Sequence, residues 1–132
     1  MTEYHSQVDI EKEISRLLNE GDDLLDKLVA AREQADSGSF SVEQARKKHK
    51  EKEANAYLAW RRRGKSVEDS KRNALVTSDV QEAADQVILT EASLSKLERQ
   101  VSEYKDRHRW VEKKVDALRT VSVNYRQVVS GN

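Results

Sequence analysis

Cysteine and proline are absent from this chain of 132 residues, and glycine occurs only four times. Without cysteine the chain forms neither disulfides nor thiolate metal sites. Without proline no helix contains a residue that lacks its backbone donor, so long continuous helices are permitted. Aromatic residues make up only 5% of the chain, and a large globular core is therefore excluded.

Long apolar runs are also missing. The first nine residues contain no basic region followed by an apolar segment, which argues against a secretory signal. No apolar run approaches the roughly 20 residues that a transmembrane helix needs. We therefore expect a cytoplasmic protein with no membrane partner.

Charged residues, by contrast, make up 36% of the chain, and the mean hydropathy is −0.89. Such a composition is typical of long helices and coiled coils. The net charge of zero conceals an asymmetry. Residues 1–45 carry four cations against eleven anions, whereas residues 46–72 carry eleven cations against four anions. The basic block should attract polyanions, and the acidic block could compete for it.

Apolar residues in the first part of the chain follow a heptad pattern, which predicts a helix over residues 8–35. Residues 36–40, Asp-Ser-Gly-Ser-Phe, are expected to end this helix. Ser41 and Gln44 then match a capping box, with Phe40 as a hydrophobic staple, and predict a second helix to Arg62. Gly64 is positioned as the stop of that helix. The first heptad seam is Ile10, Ile14, Leu17, Gly21, Leu24, Leu28, Ala31 and Ala35.

A helix start at Ser66 predicts a short helix through Val76, and a cap at residues 77–79 precedes the strongest periodic signal. From Asp79 to Val129 the heptad alternation is unbroken, which predicts one long helix. Its seam is Val76, Val80, Ala83, Val87, Thr90, Leu94, Leu97, Val101, Tyr104, His108, Val111, Val115, Leu118, Ser122, Tyr125 and Val129.

The predicted fold is all-α: an elongated helical or coiled-coil protein with one long C-terminal helix and N-terminal antiparallel helices. We divide it into an acidic heptad helix (1–40), a basic helix with an arginine-rich turn and a short helix (41–77), and a C-terminal oligomerisation helix (78–132). A long helix with a single apolar stripe must pack on the first helix, on copies of itself, or on both. The expected oligomer contacts are Leu94, Leu97, Val101, Tyr104, Val111, Val115, Leu118 and Tyr125.

The segment 56–65, Ala-Tyr-Leu-Ala-Trp-Arg-Arg-Arg-Gly-Lys, combines two aromatic rings with four cations. Basic side chains neutralise phosphates and aromatic rings stack on unpaired bases, which is the chemistry of single-stranded nucleic-acid binding. The alternative is a solvated charged face whose aromatic residues pack on the long helix. The candidate binding residues are Arg46, Lys47, Lys50, Lys52, Tyr57, Trp60, Arg61, Arg62, Arg63 and Lys65.

Catalytic and metal-binding motifs are not found in the sequence. The histidines lack metal-ligand spacing, and there is no phosphate loop or nucleophile elbow. A second basic stretch at residues 105–110 is interleaved with carboxylates, and intrahelical ion pairs explain it. We therefore expect a non-enzymatic protein without a cofactor or metal.

The order of these features is similar to that in bacteriophage recombination mediators of the UvsY type. The resemblance is carried by residues 52–65, 76–80 and 115–128, within the C-terminal two-thirds of the chain. It implies a ring-like homo-oligomer that binds single-stranded DNA in a phage-infected bacterial cell. Such a mediator helps a recombinase load onto strands covered by single-strand-binding protein. The family pattern implies DNA contacts by Lys47, Lys50 and Lys52, joined by the cations of segment 56–65.

The resulting hypothesis is a single-stranded DNA-binding recombination mediator in which oligomerisation multiplies weak contacts through avidity. A function of a different class is a coiled-coil adaptor, chaperone or inhibitor that docks an acidic protein surface and binds no nucleic acid. A structural role in a phage particle is a third alternative.

Overall fold

The computed structural model describes residues 6–130, and side chains from residue 6 to residue 126. Three α-helices follow one another: α1 (Gln7–Arg62), α2 (Val67–Leu75) and α3 (Ser78–Ser130). No strand occurs within residues 6–130. The all-α fold with one long C-terminal helix is confirmed. The side chain of Val129, the last predicted seam residue, lies outside the described residues.

The predicted helix break at residues 36–40 is wrong, because α1 continues through it as one helix of 56 residues. Gly38 lies at a close helix contact rather than at a turn: a Cβ atom there would lie 3.3 Å from the Cδ1 atoms of both Leu94 and Leu97. Ser41 does not cap a new helix, since its hydroxyl donates to the carbonyl oxygen of Ser37 across 3.1 Å, within the helix. Phe40 is exposed and is not a staple.

The heptad pattern of the sequence does indicate that α1 continues through residues 36–40. Beyond Ala35 the same alternation of three and four residues passes through the predicted break. Val42 is buried, and the other seam positions are partly buried. The glycine and serines of residues 36–40 locally favour a helix break, but burial of a continuous seam keeps α1 helical through them. The continued seam is Gly38, Val42, Ala45, His49, Lys52 and Ala56.

The chain forms two compact units, Met1–Ala31 with Gln100–Asn132 and Arg32–Arg99. In the first unit α1 and α3 run antiparallel, with the side chain of Gln7 bonded to that of Ser122. Near the same end, Arg126 and Glu11 form an ion pair at 3.0 Å. The buried core consists of Ile10, Leu17, Leu24, Val111, Val115 and Leu118, with Ile14 and Tyr104 packed against it.

The seam of α3 packs against α1 of the same chain. In the first unit Val111, Val115 and Leu118 are buried against α1, and a Cβ atom on Gly21 would meet Val111 at 3.4 Å. Tyr125 is exposed, and Leu94, Leu97, Val101 and Tyr104 are partly buried. Folding of one chain therefore accounts for the buried seam, and the role of these residues in an oligomer stays a prediction. None of the described helices has an apolar stretch that could cross a lipid bilayer.

Candidate nucleic-acid interface

The candidate interface lies in the second unit, where α1 ends and the chain turns into α2. Gly64 adopts a φ of 83°, which only glycine takes without steric cost. Its N–H donates to the carbonyl oxygen of Arg61 at 3.0 Å, and the N–H of Lys65 donates to that of Trp60 at 3.3 Å. This pair of hydrogen bonds is a Schellman motif, and the predicted stop at Gly64 is confirmed.

The other side of the turn is fixed by the start of α2. The hydroxyl of Ser66 accepts a hydrogen bond from the backbone N–H of Asp69 at 3.2 Å, as predicted for a helix cap. Ser70 is fully buried, and its hydroxyl donates to the carbonyl oxygen of Lys65 at 3.4 Å. Because both sides of the turn are bonded, its cationic side chains project from a defined backbone.

The three arginines of the turn are all exposed but have different surroundings. Arg61 donates through Nη1 to the carbonyl oxygen of Lys65 at 2.9 Å, and Arg63 lies over the Trp60 ring at 4.8 Å from the centroid. Arg62 has no bonded partner in the described part of the chain. No carboxylate of residues 6–126 forms an ion pair with these arginines or with Lys65. The turn therefore presents four cations that the described carboxylates leave uncompensated.

Trp60 is held more tightly than the sequence indicates. Its indole Nε1–H donates to the hydroxyl oxygen of Thr77 at 3.4 Å, and that hydroxyl donates to the carbonyl oxygen of Asn73 at 2.9 Å. The ring is partly buried, and the guanidinium of Arg63 covers part of a face. Trp60 therefore acts as a support for Arg63, whose guanidinium is exposed and is a planar group that can stack on a base.

The lysines of α1 lie in a different electrostatic setting from the turn. Lys47, Lys48 and Lys52 line one side of an open groove between α1 and α3, and Glu51 of α1 and three carboxylates of α3 line the groove with them. None of these pairs is closer than 4.0 Å, so attraction across the groove is weakened by solvent. Sequence reasoning missed these neighbours because they lie about thirty residues further along the chain. The carboxylates of α3 in this groove are Asp79, Glu82 and Asp85.

Three other predicted binding residues do not line that groove. Arg46 is bonded to Glu91 of α3, with Nη2 and Oε1 2.8 Å apart. Lys50 and Tyr57 line a second groove between α1 and α2, together with Lys71 of α2. Lys71 belongs to the basic block of residues 46–72 but was not among the predicted binding residues. The structure thus places nine of the ten predicted residues in three settings, which are the turn, the groove facing α3 and the groove facing α2, and it places Arg46 in an ion pair with Glu91.

The described residues contain no group of three histidine, aspartate or glutamate side chains that could hold a metal ion. No protein-family model, curated protein or solved structure matches this chain. The resemblance to UvsY-type mediators stays a prediction.

Proposed function

We propose that this protein binds single-stranded DNA, with the turn between α1 and α2 as the principal contact. The observation that carries the proposal is the set of four exposed cations at residues 61–65, none of which has a carboxylate partner among the described residues. They are presented by a backbone that the Schellman motif and the Ser66 cap hold in place. A polyanion relieves the mutual repulsion of these cations and releases counterions on binding.

A single-stranded ligand is favoured over a duplex by the aromatic components of the surface. Base faces are accessible for stacking in single strands, and Arg63 and Tyr57 offer planar groups for that purpose. Four phosphate contacts on a single strand correspond to a slope of log K against log salt of about −3. The binding is expected to be independent of base sequence, since phosphates and base faces carry little sequence information.

We further propose the role of a non-enzymatic recombination mediator, acting as a homo-oligomer on DNA, a recombinase and a single-strand-binding protein. The support for this finer role is the resemblance to UvsY-type mediators. One turn per protomer gives a weak contact, and several turns in one assembly raise the effective affinity without any new type of contact.

A coiled-coil adaptor that binds no nucleic acid is the second candidate, and one observation favours it. Lys47, Lys48 and Lys52 already line a groove with carboxylates of α3. A cationic surface that faces carboxylates within its own chain could also face those of an acidic protein. In that case the turn would recognise a protein surface instead of phosphates.

The two functions are separated by the binding of fluorescently labelled oligo-dT to the wild type and to the Arg61/Arg62/Arg63→Ala variant. The control is Lys105/Arg107/Arg109→Ala, which removes the same charge from exposed positions of α3. The DNA-binding proposal expects binding by the wild type and the control, and a loss of at least tenfold for the turn variant. The adaptor alternative expects negligible binding by all three proteins. Circular dichroism melting checks that the turn variant is folded.

A further inference from the structure

The groove between α1 and α2 combines features that the turn alone does not offer. It has a volume of about 350 Å³, near the lower end of the range for small-ligand sites. Ala74 is 1% exposed, and Ala54 is the only other alanine in the lining, so small side chains leave the groove open. The lining residues are Lys50, Glu53, Ala54, Tyr57, Lys71 and Ala74.

The polar groups of this groove lack partners within the described part of the protein. Lys50 and Lys71 are exposed and form no ion pair there, although Glu53 lines the same groove. Tyr57 is partly buried, and its hydroxyl makes no hydrogen bond to any described residue. An aromatic ring that lines a groove together with two ammonium groups matches a nucleotide unit, in which a flat base is flanked by phosphates.

The groove also lies in line with the turn along α1. Lys50, Ala54, Tyr57 and Arg61 are spaced by four, three and four residues, which places them on one face of the helix. At 1.5 Å per residue, the distance from Lys50 to Arg61 is about 16 Å along the axis. A strand bound at the turn can therefore extend along this face into the groove.

We propose that this groove is a nucleotide subsite: it receives one base of a single strand against Tyr57, with Lys50 and Lys71 on the adjacent phosphates. The inference rests on the proposed function and adds a site to it. Lys71 becomes a DNA-contacting residue of α2, and Ala54 is small because a base occupies the space beside it.

The first test fills the groove without changing its charge. Ala54→Leu introduces a larger side chain at an exposed helical position, and both residues have high helix propensity. The matched control is Ala59→Leu, which is exposed on the same helix and lines neither groove. Anisotropy titration with labelled oligo-dT should show a five- to tenfold weaker affinity for Ala54→Leu, equivalent to loss of one stacked base. The control should bind as the wild type does.

A second test distinguishes the contribution of base stacking to the affinity from that of the phosphate contacts. Tyr57→Leu should weaken binding of oligo-dT five- to tenfold, while Tyr57→Phe, which keeps the ring, should not. An abasic oligonucleotide of equal length has the same charge but no base, so its affinity should be the same for the wild type and Tyr57→Leu. Lys71→Gln should weaken binding of both ligands and reduce the salt slope by about 0.7, the contribution of one single-strand phosphate contact.

The outcomes distinguish this inference from the proposed function. If the wild type binds oligo-dT and requires the three turn arginines, but Ala54→Leu and Tyr57→Leu bind normally, the subsite is wrong and the DNA-binding function stands. Equal losses on oligo-dT and the abasic strand for Tyr57→Leu would also overturn the stacking role. If the wild type does not bind oligo-dT at all, the proposed function itself is wrong.

Discussion

The guanidinium of Arg63 lies over the indole ring of Trp60, 4.8 Å from its centroid. The indole is itself anchored by its hydrogen bond to Thr77, the residue that precedes α3. Arg63, one residue beyond the end of α1, thereby has a cation–π contact with an anchored ring, which Arg62 lacks. This contact with Trp60 distinguishes Arg63 from the other two arginines of the turn.

Replacement of Arg63 by lysine should therefore weaken DNA binding although the charge is retained. A lysine cannot offer a planar group that stacks on Trp60 with one face and on a base with the other. We expect a three- to tenfold loss of affinity for oligo-dT, with an unchanged salt slope because the number of cations is the same. Arg62→Lys is the control, since Arg62 makes no such contact, and it should bind nearly as the wild type does. Equal effects of the two variants would contradict the stacking role of Arg63.

Neutralising the three α3 carboxylates that line the groove between α1 and α3 should strengthen DNA binding. Asp79, Glu82 and Asp85 face the same groove as Lys47, Lys48 and Lys52 and reduce the local positive potential. The Asp79→Asn/Glu82→Gln/Asp85→Asn variant should bind oligo-dT about three- to tenfold more tightly at low salt, with the gain fading at high salt.

A matched control for that variant neutralises three exposed carboxylates elsewhere on α3: Glu98→Gln/Glu103→Gln/Asp106→Asn. Its effect should be smaller, because these residues do not line the groove with the lysines. If both triple variants gain affinity equally, net charge alone governs binding and the groove has no particular role.

Proline at position 39 tests the continuity of α1. Ser39 is exposed and lies within the helix, where proline removes a backbone hydrogen bond and clashes with the preceding turn. Ser39→Pro should lower the free energy of unfolding by about 3 kcal/mol or more. Ser39→Ala should raise it by a few tenths of a kcal/mol. Urea denaturation followed by circular dichroism measures both, and a proline variant as stable as the wild type would indicate a loop at this position.

Adjacent leucines in α1 test the packing of the first unit. Leu17 is completely buried in the core, whereas Leu18 is 44% exposed. Leu17→Ala should cost about 2–5 kcal/mol of unfolding free energy, because it leaves a cavity. Leu18→Ala should cost much less, since its side chain is already in contact with water. The same urea titration compares them, and similar costs would mean that α1 does not bury the seam described above.

The elements that could be predicted from the sequence are those in which local chemistry and the heptad seam agree. At Gly64 a glycine follows the end of a predicted helix, and at Ser66 a capping serine precedes a predicted helix. In both places the two signals agree, and both predictions are confirmed. At Gly38 the two signals conflict. Glycine indicates a turn locally, but here it allows α3 to approach closely through Leu94. Only the three-dimensional neighbour distinguishes a packing glycine from a turn glycine.

The candidate site shows the same limit. The arginine-rich turn is evident from consecutive residues, because all its parts lie within ten positions. The opposing charges of Asp79 and Glu82, and the approach of Lys71 to Tyr57, depend on how α2 and α3 return along α1. Counting charges along the chain therefore could not distinguish the lysines that share a groove with carboxylates from the cations of the turn, which have no carboxylate partner.

The most direct test of DNA binding by the turn is a titration of oligo-dT at several salt concentrations, with the wild type and the Arg61/Arg62/Arg63→Ala variant in parallel. The wild type should lose affinity steeply as salt rises, and the slope should be shallower by about 2 in the variant, because three phosphate contacts are removed. Binding that does not change with salt, or that has the same slope in both proteins, would contradict the account.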